Sequence, residues 1–160
     1  MPRASGRPSA DTVEIRPFHE SLPMALLQAR ESAMRLFRPM LAEHDLTEQQ
    51  WRVLRALGSA DTALEVGRIV EATFLLAPSL SRILANLEER GLVDRTPVAA
   101  DARRAAISLT EAGTSLVATV APHSERIYSR IEDALGRGEL DDLIARLAAL
   151  RDNLDDETTP

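Results

Sequence analysis

The chain has 160 residues, 44% hydrophobic and 28% charged, which is the composition of a globular protein with its own core. It contains no cysteine, which excludes disulfides, thiolate catalysis and thiol redox sensing. The formal net charge of −6 argues against an indiscriminate nucleic-acid binder. Because the acidic excess lies from residue 131 onward, the preceding residues are balanced in charge and leave room for a local basic face.

The N-terminal stretch "MPRASGRPSADTVEIRP" lacks the apolar core of a signal peptide and predicts a disordered arm over residues 1–17. No apolar run approaches the roughly 18 residues that a membrane-spanning helix needs. We therefore expect a cytoplasmic protein with no membrane partner.

A first helix is predicted from about Ser21 to His44, with one apolar stripe formed by Leu26, Ala33, Phe37 and Met40.

Three shorter helices are predicted next. Thr47 and Gln50 have the spacing of a capping box, which indicates a second helix ending at Gly58. A third helix is predicted over about residues 63–72. Pro78 suits the first turn of a fourth helix that ends at Gly91, with an inward stripe formed by Leu80, Ile83, Leu84 and Leu87.

The pattern then changes from helical to extended. In "LVDRTPVAADARRAAISLT" two short runs flank a tip of small and charged residues at about 99–104, which predicts a hairpin. Thr110 is the predicted cap of a long fifth helix. The last helix has leucines in the alternating three-four spacing of a helix–helix seam, namely Leu140, Leu143, Leu147, Leu150 and Leu154.

Short helices followed by a longer helix and a hairpin are the order of a winged helix-turn-helix. We predict a mainly α fold with a small β-hairpin wing, in which residues 46–110 form this DNA-binding domain. Residues 18–45 and 111–155 are the predicted helical dimerisation domain, and residues 156–160 an acidic tail. In this architecture the fourth helix enters the major groove and the wing reaches the minor groove, so the expected partners are double-stranded DNA and a second copy of the chain.

The sequence resembles the MarR family of transcriptional regulators. The segment "LVDRTPVAADARRAAISLTEAG" is similar to the family's wing, and "SLSRILANLEERGLV" to its recognition helix. A narrower resemblance, carried by "SLPMALLQARESAMRLFRP" and "LTEQQWRVLR", is to the branch that regulates homoprotocatechuate degradation. The resemblance implies a homodimeric winged-helix repressor that a small aromatic acid releases from its operator. The chain departs from that branch at Ala77, where we expect a basic residue.

Candidate DNA-binding residues lie on the polar face of the fourth helix. Serine and asparagine can hydrogen bond to base edges or phosphates, and arginine can pair with guanine. In a helix without a wing beside it, the same residues would simply form a solvated face. The candidates are Ser79, Ser81, Arg82 and Asn86.

The hairpin supplies the other candidates for DNA contact. Placed in the wing by the resemblance, Arg103 is predicted to enter the minor groove while Asp101 holds it in position. Arg104 is predicted to contact the DNA backbone. The alternative for the tip is a solvated turn in which the aspartate favours the local bend.

Trp51, the only tryptophan, and Arg55 are four residues apart and share one face of the second helix. The resemblance implies an effector cleft where this helix meets the long helices. There an indole covers an aromatic ring and a guanidinium pairs with a carboxylate. The other candidate ligand-binding residues are His19 and Ser21, from the partner subunit, with Glu48 and Tyr128. The alternative is that Trp51 belongs to the core and Arg55 is a surface charge.

We therefore expect a repressor of an aromatic-acid catabolic operon, released from a pseudo-palindromic operator by a phenolic carboxylate. One alternative is a winged-helix regulator of unrelated genes, with a different effector or none. Another is a winged helix that serves protein–protein interaction alone. An enzyme is not expected, because the chain shows no phosphate-binding glycine loop or positioned nucleophile. No cofactor is expected, and no metal, since His19, His44 and His123 lack ligand spacing.

Overall fold

A computed structural model describes residues 15–98, 101–136 and 138–158, and the side chains of all of these except 101–103 and 157–158. The predicted arm over residues 1–17 lies outside this range except for its last three residues. The chain divides into two compact units, with the boundary after Met34. After a short 3-10 helix (Phe18–Glu20), the elements in chain order are α1 (Leu22–Ala42), α2 (Glu48–Gly58), β1 (Leu64–Glu65), α3 (Val66–Thr73), α4 (Ala77–Glu89), β2 (Val93–Val98), β3 (Asp101–Leu109), α5 (Glu111–Leu135) and α6 (Glu139–Thr158).

The mainly α fold with a small wing is confirmed, with one additional strand. The three strands form one antiparallel sheet in the order β1-β3-β2. The core of the unit from Arg35 onward is built by the apolar stripes of the helices against this sheet. Its most deeply buried side chains are Leu41, Val53, Leu54, Ile69, Leu80, Leu84, Leu87, Ile107 and Val120.

The start of α2 matches its sequence prediction. The Thr47 hydroxyl accepts from the backbone N–H of Gln50 at 3.2 Å, and the Gln50 side-chain oxygen accepts from the Thr47 N–H at 2.8 Å. This is the predicted capping box, and it satisfies two N–H groups that the first turn would leave without partners. The helix is therefore fixed at its N-terminal end, next to α4.

The predicted third helix begins too early. Leu64 and Glu65 are extended and pair with Ile107 and Ala106 of β3, so α3 starts only at Val66. Two residues are too few to show the apolar and polar alternation that indicates a strand, and Leu64 fits the apolar spacing of α3. Leu64 and Glu65 are extended because they pair with β3, about 40 residues later in the chain. This pairing makes the hairpin part of a three-stranded sheet.

The hairpin tip is shorter than predicted. β2 extends to Val98 and β3 already begins at Asp101, so the predicted tip at 99–104 was wrong. Arg104 consequently lies within β3, in the strand body. Pro97 pairs with Ala105 and Val98 with Asp101, with a register irregularity between the two pairs.

The start of α5 is held against the exit of α4. Thr110 caps α5, as predicted, by accepting from the Gly113 N–H at 3.0 Å, and its hydroxyl also donates to the Gly91 carbonyl at 2.7 Å. The Thr110 N–H donates to the Leu92 carbonyl at 3.1 Å. Gly113 is buried, and a Cβ at this position would overlap that same carbonyl. Only glycine allows this close approach between β2 and α5.

The terminal helix α6 has a polar first turn and leaves much of its apolar side exposed. Leu143, Ile144, Leu147 and Leu154 are all exposed. The helix continues to Thr158, so the predicted acidic tail begins within it. In the described part of the chain, no helix combines the length and apolarity that crossing a membrane would need.

Candidate nucleic-acid interface and ligand site

The predicted recognition helix, α4, is held in place by α2 and by the turn that precedes α2. The Gln50 amide donates to the Asn86 side-chain oxygen at 2.7 Å. At the end of α4, the Arg90 guanidinium donates to the Asp45 carbonyl at 3.0 Å. Leu80, Leu84 and Leu87 are buried, which fixes the rotation of the helix about its axis.

The predicted DNA-binding residues of α4 differ in their surroundings. Ser81 and Arg82 are exposed, whereas Ser79 is half-buried. The Ser81 hydroxyl donates back to the Ala77 carbonyl at 3.0 Å, and it keeps its acceptor lone pairs toward solvent. Asn86 is exposed, but its oxygen already accepts from Gln50. Arg82 is therefore the side chain of this face best suited to reach a base.

On the wing, the structure describes the surroundings of one predicted arginine. The Arg104 guanidinium donates to the Glu65 carboxylate at 2.8 Å, which links β3 to β1. The side chains of Asp101 and Arg103 lie outside the described residues. Their predicted roles, minor-groove contact and its support, stay predictions.

The face of α2 that carries Trp51 and Arg55 meets α5. The Arg55 guanidinium donates to the Tyr128 hydroxyl at 3.2 Å. The ring of Phe37 lies edge-on to the ring of Tyr128, with centroids 5.3 Å apart. Trp51 is only 7% exposed, so most of its indole packs in the core. This face thus offers a guanidinium and a phenol beside aromatic rings.

Glu48 is half-buried one turn before that face. Its carboxylate pairs with Arg38 of α1 at 3.2 Å and with Arg52 of α2 at 3.7 Å. The negative charge of Glu48 is therefore compensated within the chain before any ligand arrives.

The two remaining ligand-site candidates belong to the other unit. His19 lies in the 3-10 helix, exposed, with its Nε2 3.7 Å from the Glu20 carboxylate. Ser21 ends that helix and is half-buried. Their predicted place in the ligand site of the partner subunit stays a prediction.

Two of the concavities on the described part of the unit from Arg35 onward border α5, and neither is lined by the predicted ligand residues. One, of about 410 Å³, lies between the end of α2, β3 and α5, with Leu57, Ala63, Leu109 and Val117 among its lining residues. The other, of about 470 Å³, lies between α1 and α5. Its lining combines apolar side chains with polar and charged ones, the latter being Arg35, Glu43, His123, Arg126 and Arg130.

Metal-ligating residues do not cluster in the described ranges. No three of the His, Asp and Glu side chains described there are placed to hold one ion. The ring centroids of His44 and His123 are 5.2 Å apart in an edge-on arrangement. This contact joins the turn after α1 to α5.

Several functional contacts were not predicted from the sequence. Glu48 and Arg52 do have the four-residue spacing of a helical ion pair, so that contact was available to pattern analysis. Phe37 was assigned to a core stripe, and nothing in its spacing indicates Tyr128. The Gln50–Asn86 bond joins residues 36 positions apart, for which one sequence carries no signal.

Comparisons with known proteins agree with this geometry. The profile of the MarR family matches residues 44–104. The HTH-type transcriptional regulator FarR of Neisseria gonorrhoeae is 39% identical over 139 residues, which cover 85% of this chain and 94% of FarR. The homoprotocatechuate degradative operon repressor of Escherichia coli is 42% identical over 114 residues, 71% of this chain and 76% of the repressor.

A solved structure extends the comparison to three dimensions. The crystal structure of NadR in complex with 4-hydroxyphenylacetate has 36% sequence identity and a TM-score of 0.75. It covers 86% of this chain and 96% of the NadR chain.

Proposed function

The chain belongs to the MarR family of transcriptional regulators, and we propose that it is a homodimeric repressor of an aromatic-acid catabolic operon. It binds a pseudo-palindromic operator through α4 and the wing, and a phenolic carboxylate releases it. The names of the relatives support the regulatory role and the class of target genes. NadR supports the class of effector, since it was crystallised with 4-hydroxyphenylacetate.

The observation that carries the proposed effector site is the contact between Arg55 and Tyr128. A guanidinium has five N–H donors, of which this bond uses one, and Tyr128 retains its own O–H for donation. A carboxylate placed between them receives charge-assisted hydrogen bonds from the arginine and a further bond from the phenol. Phe37 and the small exposed part of Trp51 supply aromatic surface for the ring of the ligand.

The remaining site residues have supporting roles in this proposal. Glu48 accepts a hydrogen bond from the ring hydroxyl of the ligand. His19 and Ser21 close the site from the partner subunit. The site is then complete only in the dimer.

The DNA-binding part rests on the exposed residues of α4. Arg82 and Ser81 read base edges, Ser79 and Asn86 contribute polar contacts beside them, and Arg104 contacts phosphate. Arg103, positioned by Asp101, enters the minor groove. Phosphate contacts fix the register of the protein and base contacts give it sequence preference.

One experiment tests operator binding and ligand release together. Affinity for a labelled duplex from the promoter region of the protein's own gene is measured by fluorescence anisotropy, with and without 4-hydroxyphenylacetate. For the wild type we expect the acid to weaken binding by about 5–150-fold, the usual range of coupling between two sites. Arg55→Ala is expected to keep the affinity for DNA and to lose the response to the acid.

Arg126→Ala is the matched control, because Arg126 is an arginine outside the proposed site that lines the concavity between α1 and α5. It is expected to respond to the acid like the wild type. If Arg126→Ala loses the response and Arg55→Ala keeps it, the ligand binds in that concavity and the proposed site is wrong. If the wild type binds the duplex and the acid has no effect, the regulator has a different effector or none.

A further inference from the structure

The turn between α3 and α4 exposes two large apolar side chains. Phe74 is 77% exposed and Leu76 is 76% exposed, whereas Leu75 between them is buried. Leu75 therefore anchors the turn while its neighbours remain in solvent. Ala77 and Pro78, which begin α4, are also exposed and extend this apolar surface to the N-terminus of the helix.

Both residues also occupy positions that favour other residue types. Phe74 has φ 53° and ψ 29°, the left-handed conformation at the end of α3 in which glycine or asparagine is preferred. Leu76 is the N-cap residue of α4, where serine, threonine, aspartate or asparagine would cap the helix, and no side chain caps it here. The high exposure of the two side chains shows that packing within the described chain does not compensate for these costs. Local rules broken without internal compensation are typical of functional positions.

The position of the turn indicates what covers it, provided that the chain binds DNA as proposed above. In a helix-turn-helix the N-terminal residues of the recognition helix approach the base edges of the major groove. From Phe74 to Ser81 the sequence contains no charged residue, so the entrance to α4 has no side chain that could form an ion pair with a phosphate. The apolar group that the major groove presents is the C5-methyl of thymine.

We infer that Phe74 and Leu76 contact thymine methyl groups and make the operator specific for thymine at the positions facing this turn. Ala77, which stands where a basic residue was expected, then has a role. An apolar entrance to α4 favours DNA with a thymine methyl group, whereas a basic residue there would bind phosphate whatever the DNA sequence.

The test replaces single thymines of the operator by deoxyuridine, which removes only the methyl group. A buried methyl is worth about a fourfold change in affinity. We expect the wild type to lose about that much at one or two positions in each half-site, as measured by anisotropy titration. Phe74→Gly and Leu76→Ser should bind the unmodified operator more weakly and show no further loss with deoxyuridine at those positions.

These variants are chosen so that they fold. Glycine suits the left-handed conformation and serine suits the N-cap, so we expect thermal midpoints at or above that of the wild type. Ile15→Ser is the control, because it removes an apolar side chain that is 88% exposed and lies outside the helix-turn-helix. It should keep both the affinity and the dependence on thymine methyls.

Three results would overturn the inference. The first is that the wild type binds the operator with the same affinity whichever thymine is replaced. The second is that the two variants keep the dependence on methyl groups. The third is that the variants change the sedimentation of the free protein, which would assign Phe74 and Leu76 to a contact between copies of the chain. If the wild type does not bind the unmodified operator at all, the proposed function itself fails, and the inference fails with it.

Discussion

Arg104 is an arginine of the wing whose charge is partly compensated inside the chain. Its guanidinium is bonded to the Glu65 carboxylate, and both side chains are partly exposed to solvent. A phosphate that approaches the wing therefore competes with a carboxylate for the same donors. The pair holds the arginine in one pose before DNA arrives, and it also reduces the positive field at the wing.

This arrangement predicts a difference in salt dependence. Arg104→Ala is expected to reduce the slope of log affinity against log salt concentration by about 1, since the proposed phosphate contact is lost. Glu65→Gln is expected to raise affinity at low salt, because the competing charge is removed and the phosphate contact stays. Both slopes are measured by anisotropy titration of the operator over a series of salt concentrations.

Arg151→Ala serves as the control for that series. Arg151 pairs with Asp152 on α6, outside the predicted DNA-binding domain, so its loss should leave the slope unchanged. A slope for Arg104→Ala equal to that of the wild type would show that this arginine does not contact phosphate.

Gln50 shows how far single residues can be interpreted from sequence. The capping box with Thr47 was predicted, because the interaction is local and has a fixed spacing of three residues. The bond from the same side chain to Asn86 was not, since it depends on how α2 packs against α4. Trp51 illustrates the same limit. Its position on α2 was evident, but its burial is set by neighbours distant in sequence.

At the scale of elements, the junction between the wing and α5 depends on one glycine. A Cβ at Gly113 would overlap the backbone carbonyl of Leu92, which cannot move without disturbing the start of β2. Gly113→Ala is therefore expected to lower the free energy of unfolding by roughly 1–3 kcal/mol, the usual cost of overpacking. Urea denaturation at fixed protein concentration measures the change, since a dimer's stability depends on concentration.

The matched variant is Gly67→Ala. Gly67 lies within α3, and a Cβ there would have no atom within 4 Å. Alanine is expected to stabilise the protein by about 0.5–1 kcal/mol through its helix propensity. If Gly113→Ala unfolds at the same urea concentration as the wild type, the close approach to Leu92 is not a constraint.

Elements with local signals were predicted well, and elements that depend on pairing were not. The order of the helices, the cap at Thr110 and the stop at Gly91 all followed from the sequence. β1 did not, because its two residues are extended only through their partners on β3. The predicted hairpin tip was too long, since the residue pairs next to the tip form only through the pairing of β2 with β3.

At the scale of the whole molecule, α6 exposes apolar surface that the described part of the chain does not cover. Leu143, Leu147 and Leu154 of the seam predicted from spacing are exposed, and so is Ile144 beside Leu143. Such a surface is typical of a helix that packs against another subunit. The homodimer of the proposed function buries this surface. It would also bring His19 and Ser21 of one subunit to the site of the other.

Leu147→Asp tests this arrangement. A charge in the middle of the seam cannot be buried without a partner, so we expect the variant to sediment as a monomer or to be insoluble, while the wild type is a dimer. Asn153→Asp adds the same charge to an exposed position of α6 and should stay dimeric. A wild type that sediments as a stable folded monomer would contradict the proposed dimer.

The bonds of α2 have a thermodynamic consequence for gene control. This one helix pairs with α1 through Glu48, with α4 through Gln50 and with α5 through Arg55, so under the proposed function it borders both the ligand and the recognition helix. Coupling between two binding equilibria is reciprocal: the factor by which the acid weakens operator binding is also the factor by which the operator weakens binding of the acid. A repressor molecule on its operator is therefore harder to induce than one free in solution. The acid therefore binds first to repressor molecules that are not on DNA. The concentration of acid needed to induce the operon rises with the amount of repressor in the cell.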